Sequence, residues 1–222
     1  MIQTNPNSLK IALFIHHPQC SVQSSNACIM ALPEYTFKIF TKHQVEDHFF
    51  NDVDLICFPG GIGQSDSFDS IMKNHVETIR GLVNQGKPYL GICMGAYWAD
   101  QYYFDILEDT RVVQYIKQPN SCTKRPHAKN MEVNWGGKLE HMFFYDGCTF
   151  MGGSYEEVAS YGRTEYPMSI IQNNIGLIGC HPEAEEHWYG MYPYMRGRYR
   201  DMGGYLREMV ERLLGKKGYK AT

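Results

Sequence analysis

Three short, almost wholly apolar runs constrain the fold more than any other feature: LKIALFIHH (residues 9–17), VDLICFPGG (53–61) and KPYLGIC (87–93). A strand with one face in water alternates polar and apolar residues, whereas a strand covered on both faces does not. Between the second and third runs lies SDSFDSIMKNHVETIRGLVNQG, where Ile71, His75, Ile79, Leu82 and Val83 fall close to one helical stripe and Gly86 supplies a stop. Strand, helix and strand at this length make a crossover unit, which predicts a parallel sheet with helices on both sides. Residues 21–32 are expected to form the first crossover helix, ended by Pro33, with YTFKIF (35–40) as a further strand.

The texture changes between residues 111 and 166. PNSCTKRPHAKN reads as a basic loop, and MEVNWGG, MFFYDGCTFMGG and EVASYG read as short strands or hairpins between Gly, Asn and Asp turns. MSIIQNNIGLIGCHPE then predicts two strands around Asn173-Asn174, with His181 at the end of the second. Leu206, Met209, Val210, Leu213 and Leu214 give the closing helix its stripe. Nothing repeats and no low-complexity linker intervenes, so one domain is expected over 1–222.

Composition narrows the class. With 222 residues, 43% of them hydrophobic, the chain can bury a core without disulfides or metal. Seven cysteines with no C-x-x-C pair argue against a secreted disulfide framework or a zinc ribbon. A net charge of -3 gives no reason to expect nucleic acid or an anionic membrane as partner. There is no apolar run of transmembrane length and no charged leader, so a cytoplasmic protein without a membrane span is expected.

The stretch YLGICMGAYWA carries the chemistry. Gly91-x-Cys93-x-Gly95 has the spacing of a nucleophile elbow, a strand–turn–helix junction too tight for a Cβ on either side. The turn presents the thiol at the strand's C-terminal end, and the following helix N-terminus favours thiolate. Met94 N–H is then one donor for an oxyanion, and the amides of Gly60 and Gly61, at the end of the neighbouring apolar run, are candidates for the second. His181 ends a later strand, Pro182 fixes the backbone, and Glu183 stands where it can orient the imidazole. All three motifs fall at predicted C-terminal strand ends, where open parallel sheets bind ligands.

FPGG, GICMGAYWA and GCHPE together resemble the class I glutamine amidotransferase superfamily, and GxCxGxY followed by an aromatic, with NWGG, YDG and VASYG, resembles its biotin-protein ligase N-terminal-like branch. The resemblance implies a flavodoxin-like three-layer α/β sandwich with a mostly parallel sheet. It also implies a Cys93-His181-Glu183 triad acting through a thioester, Gly60, Gly61 and Met94 near the oxyanion, and no cofactor. The substrate would be a small-molecule amide, with any ammonia passing to a separate acceptor enzyme. Members that use glutamine usually carry a Gln where this chain has Tyr97, so Tyr97 and Trp98 are expected to shape the substrate pocket. Two alternatives stay open: a PfpI-like carbonyl hydrolase, and a non-catalytic binding or regulatory member.

The remaining features have plainer readings. Arg196, Arg198 and Arg200 among tyrosines suit a solvated or partner-facing segment, and Lys117, Lys124, Arg125 and Lys129 a surface loop. His181, Glu183, Glu185, Glu186 and His187 lack metal-ligand spacing, so no metal is expected. His16 and His17 end the first strand, and Cys57 and Cys180 read as small core residues.

Overall fold

Burial on both faces accounts for the apolar runs. The computed structural model describes residues 9–63, 65–164 and 166–215, apart from the Arg163 side chain. Along β1 (Lys10–Phe14), Ile11 and Leu13 pack into one core while Ala12 and Phe14 pack into another. α1 (Val22–Ala31) begins at Ser21, whose Oγ accepts from Ser24 N–H at 3.2 Å, and it stops before Pro33. β2 (Thr36–Phe40) follows, and β3 (Leu55–Phe58) runs into Pro59-Gly60-Gly61.

The helix expected next is divided. A tight turn at Lys73–His75 separates α2 (Ser65–Ile71) from α3 (Val76–Asn84), with Asn74 and His75, both weak helix formers, at the break. Ile71, Ile79 and Val83 are buried as the stripe required; His75 and Leu82 are half-buried. β4 (Tyr89–Ile92) leads directly into α4 (Met94–Tyr97). Then come β5 (Thr110–Gln114), β6 (Lys129–Trp135), β7 (Lys138–Phe144), β8 (Cys148–Gly152), β9 (Glu156–Tyr161), β10 (Pro167–Gln172) and β11 (Ile175–Ile178). Helices α5 (Glu186–Gly190) and α6 (Gly203–Leu213) complete the described elements. Residues 216–222 lie outside the described residues.

Nine strands form one sheet in the order β2-β1-β3-β4-β11-β10-β9-β6-β7. From β2 to β11 the neighbours run parallel, and from β11 to β7 they run antiparallel. One face is covered by α1 and α6 through Cys28, Leu32, Leu206, Met209 and Val210. The other is covered by α2, α3 and α4 through Phe68, Ile79, Val83 and Met94. This is the three-layer α/β sandwich of the flavodoxin-like class. β5 and β8 pair separately as an antiparallel ribbon. No helix among the described residues is long and apolar enough to cross a membrane.

The order of the parallel strands decides where chemistry can occur. β3, β4 and β11 are consecutive in the sheet, so the segments leaving their C-terminal ends converge. Those segments are Gly60-Gly61, Cys93 and His181.

Candidate active site

Cys93 sits on a strained turn. Its φ of 49° and ψ of -99° lie where a side chain is rarely tolerated, at a cost of about 1–3 kcal/mol that the surrounding packing must offset. Both flanking glycines make the turn possible. A Cβ on Gly91 would overlap the Gly95 carbonyl group, and one on Gly95 would overlap the Phe58 carbonyl oxygen. Cys93 N–H donates to Ile178 O at 2.8 Å, which ties the elbow to the end of β11. Cys93 is 7% exposed, and its thiol lies 3.8 Å from Tyr145 O.

His181 is the third residue after β11, and its N–H donates to Phe143 O at 2.8 Å, so β7 fixes its height above the sheet. The Trp188 ring lies 5.6 Å from the imidazole. His181 Nδ1 is 2.8 Å from Glu183 Oε1, and both His181 and Cys93 line one cavity. Burial alone lowers the imidazole pKa, but the nearby Glu183 and Cys93 outweigh it and raise the value to about 10. Because the folded pKa lies above the ordinary 6.5, His181 contributes stability that is complete below about pH 6.5 and fades as pH rises through 10. The stability gap between the wild type and His181→Asn should therefore narrow from pH 6 to pH 10.5 in urea titrations. A gap of constant size would contradict this electrostatic account.

One residue here had no signal in the sequence. Ser24, fully buried in α1, donates from Oγ to Glu183 Oε1 (2.7 Å) and accepts from Gly60 N–H (2.8 Å). It thereby joins the β3 turn to the His181 partner. The Gly60 amide, expected at the oxyanion, is instead directed at Ser24, because the turn aims it towards α1. Gly61 N–H and Met94 N–H have no protein acceptor among the described residues. Ser24→Ala removes a bond to a buried carboxylate and orphans the Gly60 amide. A hydrogen bond of this kind contributes about 1.5–3 kcal/mol, so kcat should fall roughly tenfold to a hundredfold with KM little changed. An unchanged kcat would show that Glu183 needs no such support.

Tyr97 and Trp98 part company. Tyr97 lines a cavity of about 530 Å³ beside Cys93, and its hydroxyl donates to Asp146 O at 3.0 Å. Trp98 does not reach it. One position further along the helical turn, its side chain is fully buried among Phe14, Phe58, Phe68 and Phe104. It is a core residue, and the expectation that it shapes the pocket is corrected. The β5–β8 ribbon supplies the cavity's far wall: Arg111, paired with Asp100 at 3.0 Å, and Gln114, whose Nε2 donates to both Asp146 oxygens (2.9 and 3.2 Å). Burial pushes the Asp146 carboxyl up, and the Gln114 bond partly counters it.

A second cavity, also about 530 Å³, opens on the His181 side of Cys93, and His17 lines it. The basic segments lie elsewhere. Lys124 and Lys129 donate to carbonyls of their own loop, Arg196 and Arg200 to Gly190 O and Tyr199 O, and none of these lines either cavity. Cys57 and Cys180 are buried, and burial pushes the Cys180 thiol far up. No group of three or more His, Cys, Asp or Glu among the described residues is placed to hold a metal ion.

The family model described as glutamine amidotransferase class-I matches residues 23–191. Among solved structures, the chain is similar to a glutamine amidotransferase from Thermotoga maritima, at 14% identity and a TM-score of 0.64, with 93% of this chain and 98% of that one covered. It is similar to PurLQS from Thermotoga maritima at 14% identity and a TM-score of 0.64, covering 93% and 99%. The glutaminase domain of Trypanosoma brucei CTPS with bound acivicin is similar at 12% identity and a TM-score of 0.51, with 96% of this chain and 96% of that one covered. At these identities the likeness is one of fold. No curated protein sequence matches the chain.

Proposed function

The chain belongs to the glutamine amidotransferase class-I family, and on that premise we propose that it releases ammonia from glutamine through a thioester on Cys93. The observation that carries this reading is the elbow: a cysteine held at positive φ, beside a histidine that is itself paired with a buried glutamate. Cys93 attacks the amide carbon. The oxyanion is received by Gly61 N–H and Met94 N–H, and His181 gives its proton to the departing ammonia. Acylation removes the sulfur's charge, one of the influences that raise the imidazole pKa. His181 can then take a proton from water, and the acid is released.

Substrate recognition falls to the Tyr97 cavity. Asp146 suits an α-ammonium group, and the Arg111 guanidinium, stacked 4.7 Å over Tyr102, suits a carboxylate. Asp146→Asn should raise KM for glutamine at least about tenfold while kcat changes little, as expected for lost ground-state binding. The Tyr97-Trp98 pair after the elbow supports a reading in which the chain is nearest the biotin-protein ligase N-terminal-like branch, with the ammonia passing to a separate enzyme. A second reading, a PfpI-like hydrolase of a different amide, draws on Tyr97 as well, since its hydroxyl is engaged by Asp146 O and not offered to substrate.

Brief treatment with a diazoketone analogue of glutamine, followed by peptide mass mapping, separates the two. Stoichiometric labelling of Cys93 that excess glutamine blocks supports glutamine as substrate. Labelling absent while a small neutral alkylator still modifies Cys93 first would discard glutamine in favour of another amide.

A further inference from the structure

We propose that the cavity on the His181 side seats a second substrate, an uncharged nucleophile with an aromatic or apolar body, which takes the acyl group from Cys93 in place of water. This rests on the thioester reading above. The two cavities share Gly61, Ile62, Cys93 and Tyr145, so they meet at the sulfur, yet their chemistry differs. The first contains Asp100, Arg111 and Asp146. The second has no Asp, Glu, Lys or Arg in its lining; Pro18, Phe143, Trp188, Met191 and Tyr192 give it an apolar and aromatic stretch. His181 lines the second cavity and not the first.

Size leaves room for an organic ligand. A water molecule occupies about 30 Å³, whereas sites for organic ligands run from about 300 to 1,000 Å³, and this cavity measures about 530 Å³. Charge decides the kind of ligand. An ammonium entering the cavity would lose water without meeting a carboxylate, so the bound nucleophile is neutral, as arylamines and arylhydrazines are near pH 7. Its nitrogen approaches the thioester from the imidazole side. The C–N bond forms as the C–S bond breaks, and the proton leaving nitrogen passes through His181 to the Cys93 sulfur. No oxidant or further reactant is required.

The experiment is wild-type turnover of glutamine at pH 7.5 with increasing phenylhydrazine, reading ammonia, free acid and acyl hydrazide by mass spectrometry. The hydrazide is expected to rise to a plateau while free acid falls. Met191→Ala, at a half-exposed position, should raise the half-saturating phenylhydrazine concentration about three- to tenfold, the effect of losing roughly 1 kcal/mol of apolar contact. Partition to hydroxylamine, too small to need the wall, should be the same in both proteins. Hydrazide that grows in simple proportion to concentration, with equal slopes in wild type and variant, overturns the site. Ammonia released with free acid as the only product overturns the transfer step. Ammonia absent under every condition overturns glutamine as the acyl donor, the reading on which the proposal rests, and that readout tells the two failures apart.

Discussion

Replacing Cys93 with alanine is expected to lower ammonia release from glutamine by at least about a thousandfold, since loss of a covalent nucleophile leaves only binding and oxyanion donors to act. The fold should be unharmed. The thiol lies 3.8 Å from Tyr145 O, a weak contact to lose, and alanine keeps the same Cβ, so the positive φ is no more strained than in the wild type. The check is a coupled ammonia assay beside a urea unfolding curve of the same preparation. Residual activity above about a tenth of the wild type, with a native unfolding curve, would remove Cys93 from the mechanism. His181→Asn should fall into the same low range, because no other described side chain flanking Cys93 combines a base with a buried carboxylate partner.

The second large effect is on stability. Gly95→Ala places a methyl group against the Phe58 carbonyl oxygen, where α4 crosses the end of β3. Neither side can yield easily. Gly95 N–H donates to Pro59 O at 3.3 Å, and Phe58 is a fully buried strand residue packed on Phe14, Phe40, Tyr89, Trp98 and Phe104. A backbone clash of this kind exceeds the usual overpacking penalty, so a loss of about 3 kcal/mol or more is expected. Gly81 is the control. It lies inside α3 with nothing near its Cβ position, so Gly81→Ala should stabilise by about 0.5–1 kcal/mol. If the two variants unfold at similar urea concentrations, the elbow is looser than its geometry states.

These expectations show which parts of the molecule are legible in its residues. β1, β3 and β4 could be read because burial on both faces leaves a local mark, an apolar run of strand length, and the elbow could be read because steric demand writes glycines at fixed offsets. What escaped depends on distance. Ser24 and Glu183 are 159 positions apart, and nothing near Ser24 indicates that its hydroxyl will meet that carboxylate. Gln114 and Asp146 come together only because β5 pairs with β8. Tyr97 and Trp98 are adjacent aromatics, and composition does not say which one faces the cavity; helical geometry does. The direction of the Gly60 amide was equally hidden, since it depends on how α1 packs against the β3 turn.

The sheet order also sets a time at which the site can exist. β4 and β11 are neighbours in register, yet the whole antiparallel extension and the β5–β8 ribbon lie between them in the chain. A contact of such long sequence separation forms late in folding, after the entropy of closing the intervening loop has been overcome. A nascent chain emerging from the ribosome thus displays Cys93 well before His181 is in place beside it. On the proposed mechanism, completing the sheet and pairing the thiol with its base are the same event.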